Sequence, residues 1–316
     1  MTRVVALEEH YCDAELAEHF SGGDRLAPPL RARLLDIDLR LRDMDAAGID
    51  VQVLSHTAPA LQKLPAEVAV PLARGVNDRL QRIVEAHPTR FAGFATLPTD
   101  DPDAAAAELE RCVTQHGFKG AMVHGLTGGA FLDERRFWPI LAAAEALDVP
   151  IYLHPSVPSP VVTEAYYEPY AAEFPMLLRA GWGFTAETAT QAIRLVLSGA
   201  LEAYPRLKLI LGHLGETLPF LLWRVDQALS REGNRPLRFR EAFSRHFWVT
   251  TSGFFSNPAL LCTMMEMGID RVMFSVDWPF VDNRQGVDWL NAAPVCAEDR
   301  AKVFGGTATA LLRLQE

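Results

Sequence analysis

Short apolar runs alternate with amphipathic stretches along the whole chain. The apolar runs are rich in β-branched residues and predict strands buried on both faces, whereas the stretches with a period near 3.6 predict helices. We predict eight strands, at residues 4–10, 51–56, 91–97, 120–124, 150–154, 207–213, 247–251 and 272–277. We predict helices at residues 35–47, 67–86, 101–115, 134–147, 185–203, 216–230, 258–267, 287–292, 297–303 and 307–314.

Eight strands, of which seven are followed by a clear helix, predict a parallel sheet closed into a (β/α)8 TIM barrel that uses residues 1–316 as one domain. A doubly wound open sheet is the alternative, but no GxGxxG follows the first strand. The segment 156–183 follows the fifth strand and has no clear period. We predict that it forms a lid or substrate loop, with residues 21–30 as a second candidate lid.

Composition narrows the classes of function. The chain has 316 residues, 49% of them hydrophobic and 22% charged, with a net charge of −10. Such an acidic balance argues against nucleic-acid binding. The sequence shows neither an N-terminal leader nor an apolar run of membrane-spanning length, so we expect no membrane partner. Four widely separated cysteines fit free thiols in a reduced cytoplasm.

The candidate chemistry lies where the predicted strands end. Glu8, His10, His154, His213 and Asp277 stand at or beside the ends of four apolar runs spread over the chain. Parallel strands would bring these ends to one rim, where a divalent metal could hold them together. Glu8 and His10 share one face of their strand, because side chains alternate. Each of these residues, taken alone, is also explained by a common structural role, such as a place in a solvated turn or a helix cap.

A second group follows the sixth strand. Glu216 lies one helical turn beyond His213, where its carboxylate could orient the imidazole and raise its basicity. Arg224 lies about two turns farther on. It is either a surface arginine or one aimed at a substrate carboxylate.

Together these motifs resemble the amidohydrolase superfamily, and within it the branch of γ-resorcylate and 5-carboxyvanillate decarboxylases. The resemblance runs nearly end to end. It is carried by the segments 6–10 (ALEEH), 153–155 (LHP), 211–216 (LGHLGE), 223–226 (WRVD), 250–253 (TTSG) and 274–279 (FSVDWP). Hydrolytic members usually open with H-x-H, so the E-x-H of Glu8 and His10 points to the decarboxylase branch.

The resemblance implies one divalent metal, zinc or manganese, and no organic cofactor. The implied metal ligands are Glu8, His10, His154 and Asp277. It also implies that the chain is a carboxy-lyase acting on a small ortho-hydroxy aromatic acid. Asp277 would then protonate the ring carbon, while His213 and Glu216 would position or protonate the substrate. Members of this kind are homodimers or homotetramers.

In the same resemblance Arg224 binds a negatively charged substrate, and it could serve a neighbouring subunit's site. Two rim positions depart from the resorcylate enzymes, which carry asparagine where this chain has His124, and Asn-Ala-Pro near the second strand, where this chain has His56 within the segment 56–59 (HTAP). We predict that these two histidines contact the substrate, with a structural role as the alternative.

Other functions stay open at this point. The same residues would suit a metal-dependent hydrolase or hydratase of an aromatic ring-cleavage product, with His213 serving a metal-bound water and Asp277 acting as base. A decarboxylase of a muconate semialdehyde lies between the two. The third hypothesis is that the protein is a barrel that binds a ligand without catalysing a reaction.

Overall fold

A computed structural model describes residues 2–21 and 26–315 of the chain. All nine strands among these residues pair in parallel. They are β1 (Val5–Tyr11), β2 (Val51–His56), β3 (Phe91–Gly93), β4 (Ala95–Thr96), β5 (Ala121–His124), β6 (Pro150–His154), β7 (Lys208–Leu211), β8 (Phe247–Thr250) and β9 (Val272–Met273). The hydrogen-bonded order follows the chain, as β1-β2-β3 and β4 to β9.

The two sheets are parts of one barrel. The predicted third strand is interrupted at Phe94, whose N–H donates to the carbonyl of Leu54 in β2 (2.9 Å), while the N–H of Ala95 donates to the carbonyl of Gly120 before β5 (2.8 Å). The second seam, where the first strand meets the segment after the last one, is closed by the N–H of His10 in β1, which donates to the carbonyl of Trp278 after β9 (2.8 Å). The structure therefore confirms the predicted (β/α)8 barrel.

Helices follow the strands on the outside of the barrel. They are α1 (Ala14–Ala17), α2 (Pro28–Leu35), α3 (Ile37–Ala47), α4 (Ala66–Ala86), α5 (Pro102–His116), α6 (Trp138–Leu147), α7 (Pro160–Val162), α8 (Glu168–Ala171), α9 (Gly183–Leu197), α10 (Ala200–Ala203), α11 (His213–Glu216), α12 (Leu218–Leu229), α13 (Phe239–His246), α14 (Asn257–Met267), α15 (Asn283–Ala292), α16 (Ala297–Ala301) and α17 (Thr307–Leu312). In the described part of the chain, no helix combines the length and apolarity needed to cross a bilayer.

Some boundaries differ from the predictions, for local reasons. The predicted helix 185–203 is two helices, since Gly199 adopts a left-handed conformation (φ 87°) between α9 and α10. The predicted helix 216–230 begins only at Leu218, after the turn α11. Two helices of eight residues, α2 and α13, were not predicted, and each begins in a polar or proline-containing stretch. The short helices α1, α7 and α8 were not predicted either.

The predicted lid segments contain more structure than their sequences indicate. Residues 156–183 include the short helices α7 and α8 and two further single-turn segments, Thr163–Tyr167 and Pro175–Leu178. Of the second candidate, 21–30, residues 22–25 lie outside the described residues, and α2 begins within the remainder.

The core has two layers that together place the site. Apolar side chains such as Val5, Leu7, Phe94 and Ile210 fill the interior of the barrel. A larger cluster packs between the strands and the helices. Because the lower interior is closed by apolar packing, polar side chains at the carboxyl ends of the strands form the floor of a cavity that opens on one rim.

Candidate active site

Four predicted metal ligands converge at the carboxyl-end rim. Glu8, His10, His154 and Asp277 each offer one ligand atom, and these atoms all lie within 4.8 Å of one another. Nε2 of His10 lies 3.2 Å from Oδ1 of Asp277, and Nε2 of His154 lies 3.2 Å from Oε1 of Glu8. Two imidazole nitrogens and two carboxylate oxygens form a mixed donor set that suits manganese or zinc.

Two buried atoms of these residues indicate that the site is suited to a cation. Oε1 of Glu8 and Nε2 of His10 are fully buried, and neither has an aligned hydrogen-bond partner among the described residues. Buried polar atoms of this kind are costly unless something binds them. A divalent ion between them would satisfy both atoms, as well as the two ligands that face them.

Both histidine ligands are oriented by their second nitrogen. Nδ1 of His154 lies 2.7 Å from the carbonyl of Pro155, to which it donates, and this leaves Nε2 with a free lone pair. Nδ1 of His10 lies 3.4 Å from Oγ of Ser55. The opposite nitrogen of each ring therefore points to the same place, an arrangement that is common around metal-bound imidazoles.

The carboxylates of this cluster have strongly displaced pKa values. Burial opposes ionisation of Glu8, but the contact with His154 and the neighbouring imidazoles hold its pKa well below the usual range. Burial and the charge of Glu8 raise the pKa of Asp277 well above that of an ordinary aspartate. A dication between the two would favour the ionised form of both.

His213 and Glu216 form a pair beside the metal ligands, as predicted. Nδ1 of His213 lies 2.7 Å from Oε1 of Glu216, and Oε2 of the same carboxylate accepts a hydrogen bond from Thr185 (2.7 Å). Burial opposes charging of His213, yet the charge of Glu216 and this hydrogen bond raise its pKa to about 10. The contact with Glu216 therefore favours the charged form of this imidazole, which lines the cavity.

The backbone at these residues is strained. His213 (φ 49°), Glu216 (φ 51°) and Asp277 (φ 71°) all lie in the left-handed region, which non-glycine residues rarely adopt. Residues held in this way cost about 1–3 kcal/mol each and tend to cluster at functional sites. This strain is independent support for the assignment of the rim as the active site.

A cavity of about 530 Å³ opens above these residues. His154, His213 and Asp277 form its polar floor. Its walls are mostly apolar and come from several loops and from α2 and α9: Leu26, Ala27, Leu30, Thr57, Ala58, Pro59, Val157, Met176, Arg179, Ala180, Phe184, Phe280 and Val281. Both predicted lid segments therefore contribute to the wall.

Three predicted substrate-binding residues lie outside this wall. His124 stands behind a metal ligand, with its Nδ1 2.9 Å from Nδ1 of His154. His56 directs Nδ1 to the carbonyl of Thr57 (2.7 Å), and burial lowers its pKa to about 4, so its ring is neutral. Both rings point into the packing around the ligands.

Arg224 is the third of these residues. It is exposed on α12 and borders a different surface depression, together with Trp223 and Arg231. Since it stands two turns along that helix, its side chain does not reach the cavity of its own chain.

Sequence reasoning missed a buried network around Glu9. This residue faces away from the metal ligands, as the strand alternation predicts, and accepts hydrogen bonds from the N–H of Val276 (2.8 Å) and of Trp278 (3.2 Å). Gln52 bridges Glu9 to the fully buried Arg40, whose guanidinium lies 4.0 Å from the ring centre of Trp278. The network joins β1 to the segment that carries Asp277.

Comparison with known proteins agrees with this geometry. A family model described as amidohydrolase matches residues 19–314. The chain belongs to the amidohydrolase family. This amidohydrolase is 41% identical to the γ-resorcylate decarboxylase of Rhizobium radiobacter, in an alignment of 326 positions that covers 98% of each protein.

Two solved structures superpose closely on the amidohydrolase. The dihydroxybenzoic acid decarboxylase of Polaromonas sp. JS666, with bound manganese and the inhibitor 2-nitroresorcinol, gives a TM-score of 0.90 at 40% identity, covering 100% of this chain and 98% of that one. The 5-carboxyvanillate decarboxylase of Sphingomonas paucimobilis gives a TM-score of 0.93 at 34% identity, covering 100% of both. The predicted family and reaction class are confirmed.

Proposed function

We propose that this amidohydrolase is a metal-dependent, non-oxidative decarboxylase of a small ortho-hydroxybenzoate-type acid. The observation that carries the proposal is the convergence of Glu8, His10, His154 and Asp277 beneath a cavity with mostly apolar walls. The family relatives support it, since full-length proteins at about 40% identity are resorcylate or dihydroxybenzoate decarboxylases.

Manganese or zinc held by the four ligands would supply a Lewis acid and a template for the phenolate and carboxylate oxygens of the substrate. The bond between the ring carbon and the carboxylate then breaks, carbon dioxide leaves, and the same ring carbon takes up a proton. Asp277 is the proton donor in this proposal: its carboxylate forms part of the cavity floor, takes up a proton before the reaction and passes it to the ring carbon. Solvent restores its proton after each turnover, and the phenol removes the need for an organic cofactor.

The charged imidazole of His213 complements the substrate carboxylate. It lies on the cavity floor, and Glu216 keeps it protonated and fixed in orientation. In this position it orients the carboxylate and then faces the departing carbon dioxide. The apolar walls exclude water, which strengthens these electrostatic contacts.

Arg224 enters the proposal through a second copy of the chain. Next to it on α12, Phe220 is 80% exposed and Trp223 is 65% exposed. Large apolar side chains exposed together are typical of a protein interface. We infer a cytoplasmic homodimer or homotetramer in which Arg224 of one copy binds the substrate anion in another.

The deciding experiment measures carbon dioxide release from a panel of hydroxybenzoates. Purified protein is freed of metal and reconstituted with manganese or zinc, and each substrate carries a ¹³C-labelled carboxylate. We expect labelled carbon dioxide and the corresponding phenol, with no release from the metal-free protein. A product that gains the mass of water would favour the hydratase alternative, and unchanged substrate across the whole panel would contradict the proposed reaction.

A further inference from the structure

A cluster of buried hydroxyl groups surrounds one oxygen of Glu8. Tyr152 on β6 and Ser252 after β8 both donate hydrogen bonds to Oε2 of this carboxylate. Thr250 completes the cluster, with Oγ1 2.6 Å from the hydroxyl of Tyr152 and 2.7 Å from Oγ of Ser252. All three side chains are buried in the barrel interior, directly below the metal ligands.

The number of available hydroxyl protons determines which group donates each hydrogen bond in the cluster. Each hydroxyl has one proton to donate. Those of Tyr152 and Ser252 go to Glu8, so Thr250 must donate to one of these two oxygens. Every proton in the cluster therefore points toward Oε2. This arrangement stabilises the ionised carboxylate and leaves Oε1, 3.2 Å from Nε2 of His154, as the oxygen that faces the other ligands.

Gly212 shows how closely the cluster is packed. A Cβ at this position would lie 2.7 Å from Oε2 of Glu8, 3.2 Å from the hydroxyl of Tyr152 and 3.3 Å from Oγ of Ser252. Only glycine leaves room for the carboxylate and its two donors. The residue before His213 is thus tied to the position of Glu8, although the two are far apart in sequence.

We propose that Tyr152, Ser252 and Thr250 are positioning residues that hold Glu8 as a one-oxygen metal ligand. The inference rests on the proposed metal centre and extends it to side chains that do not touch the metal. Without the donors on Oε2, the carboxylate is free to rotate and to offer both oxygens or neither. Metal affinity then falls, because the geometry of the ligand is no longer fixed before binding.

The test compares Tyr152→Phe with Tyr11→Phe. Tyr11 is also a buried tyrosine, but its hydroxyl lies outside the cluster, so the control removes the same atom elsewhere in the barrel. The dissociation constant of Mn²⁺ is measured by calorimetry on metal-free protein, and the Mn²⁺ electron paramagnetic resonance spectrum reports the ligand field. We expect Tyr152→Phe to weaken Mn²⁺ binding about 10–100-fold and to change the spectrum. Tyr11→Phe should do neither.

Thermal unfolding of the metal-free proteins separates positioning from folding. If Tyr152→Phe does not fold, Thr250→Val and Thr250→Ser decide the question, because valine keeps the shape of threonine and serine keeps its hydroxyl. The expected result is weakened Mn²⁺ binding in the valine variant and recovery in the serine variant.

Two results would overturn the inference, and they are distinguishable. Unchanged Mn²⁺ affinity and an unchanged spectrum in folded Tyr152→Phe or Thr250→Val would remove the positioning role while leaving the metal centre intact. Failure of the wild-type protein to bind Mn²⁺ would remove the metal centre itself, and the positioning role with it.

Discussion

The floor and the walls of the cavity are built in different ways. The floor consists of the polar residues His154, His213 and Asp277 at the strand ends, with Glu8 and His10 buried beside it. Hydrogen bonds fix the side chains of His154 and Glu8. The walls are mostly apolar and come from loops and helix ends. Met176 in the wall, for example, is 56% exposed. We therefore infer that the floor determines which reaction takes place and that the walls determine which ring is admitted.

The largest effect should come from the floor. Asp277→Asn removes the proposed proton donor and one carboxylate ligand, while the side chain keeps its shape. We expect the turnover number to fall by about 10²–10⁴-fold or more, the range that proton transfer contributes. Substrate binding should stay measurable by fluorescence or calorimetry.

Asp282→Asn is the matched control for this variant. Asp282 caps α15 by accepting from the N–H groups of Arg284 and Gln285, and asparagine caps a helix equally well. Its activity should equal that of the wild type. Near wild-type turnover in Asp277→Asn would exclude Asp277 from the mechanism.

The next effect depends on pH. Glu216 raises the pKa of His213 to about 10, so the imidazole stays charged across the neutral range. In Glu216→Gln only the charges of Glu8 and Asp277 still oppose the effect of burial, and we expect the pKa of His213 to fall toward about 6.5, the ordinary value for histidine. The charged form is then lost as the pH rises through that lower value. We expect kcat/KM to fall about 10–100-fold at pH 8 and to recover in part at pH 6.

The buried Glu187 supplies the control for the pH experiment, since Glu187→Gln makes the same chemical change away from the cavity floor. Its pH profile should match that of the wild type. A Glu216→Gln profile that kept the wild-type shape would show that the charge on His213 is not used in the reaction.

The variant Arg224→Ala tests whether a second copy of the chain contributes a residue to the active site. Arg224→Ala should raise KM about tenfold or more, because a charged hydrogen bond contributes about 1.5–3 kcal/mol. Mixing it with Asp277→Asn should restore activity, since in mixed oligomers an intact Asp277 meets an intact Arg224. The neighbouring Arg231→Ala is the control. Absence of recovery on mixing would assign Arg224 to a role outside the partner's cavity.

The smallest effect is expected from the walls. Met176→Ala removes an apolar contact of the cavity wall, worth on the order of 1 kcal/mol. KM should rise a few-fold, while the turnover number and the Mn²⁺ affinity stay unchanged. Met265→Ala, at an exposed methionine outside the wall, should change none of the three. A loss of metal affinity in Met176→Ala would erase the distinction between floor and wall.

The floor was predictable because it follows from local rules. Apolar runs that end in Glu8, His154, His213 or Asp277 indicate buried strands, and parallel strands bring their carboxyl ends to one rim. The barrel fold follows from the same alternation. These inferences need only neighbouring residues and the topology of the sheet.

The supporting network was not predictable in this way. The residue types of Tyr152 and Ser252 do not by themselves indicate a contact with Glu8. Tyr152 is separated from Glu8 by 144 residues along the chain, and Ser252 by 244. One signal was present, since Tyr152 precedes His154 by two residues and so points to the same side of the strand. His56 and His124 show a different limit: sequence places them at strand ends, but it does not give their side-chain contacts, which are with the carbonyl of Thr57 and with His154.

The seam between the first and last strands has a consequence for biosynthesis. Glu8, Glu9 and His10 are synthesised well before their partners at Val276, Asp277 and Trp278, which follow some 267 residues later. Until Val276 and Trp278 have been added, Glu9 lacks the N–H groups that bind its carboxylate, and Arg40 lacks the indole ring of Trp278. A nascent chain stopped before this last strand would lack Asp277 and present an open barrel, so we expect the complete cation-binding set to form only after the last strand has been added.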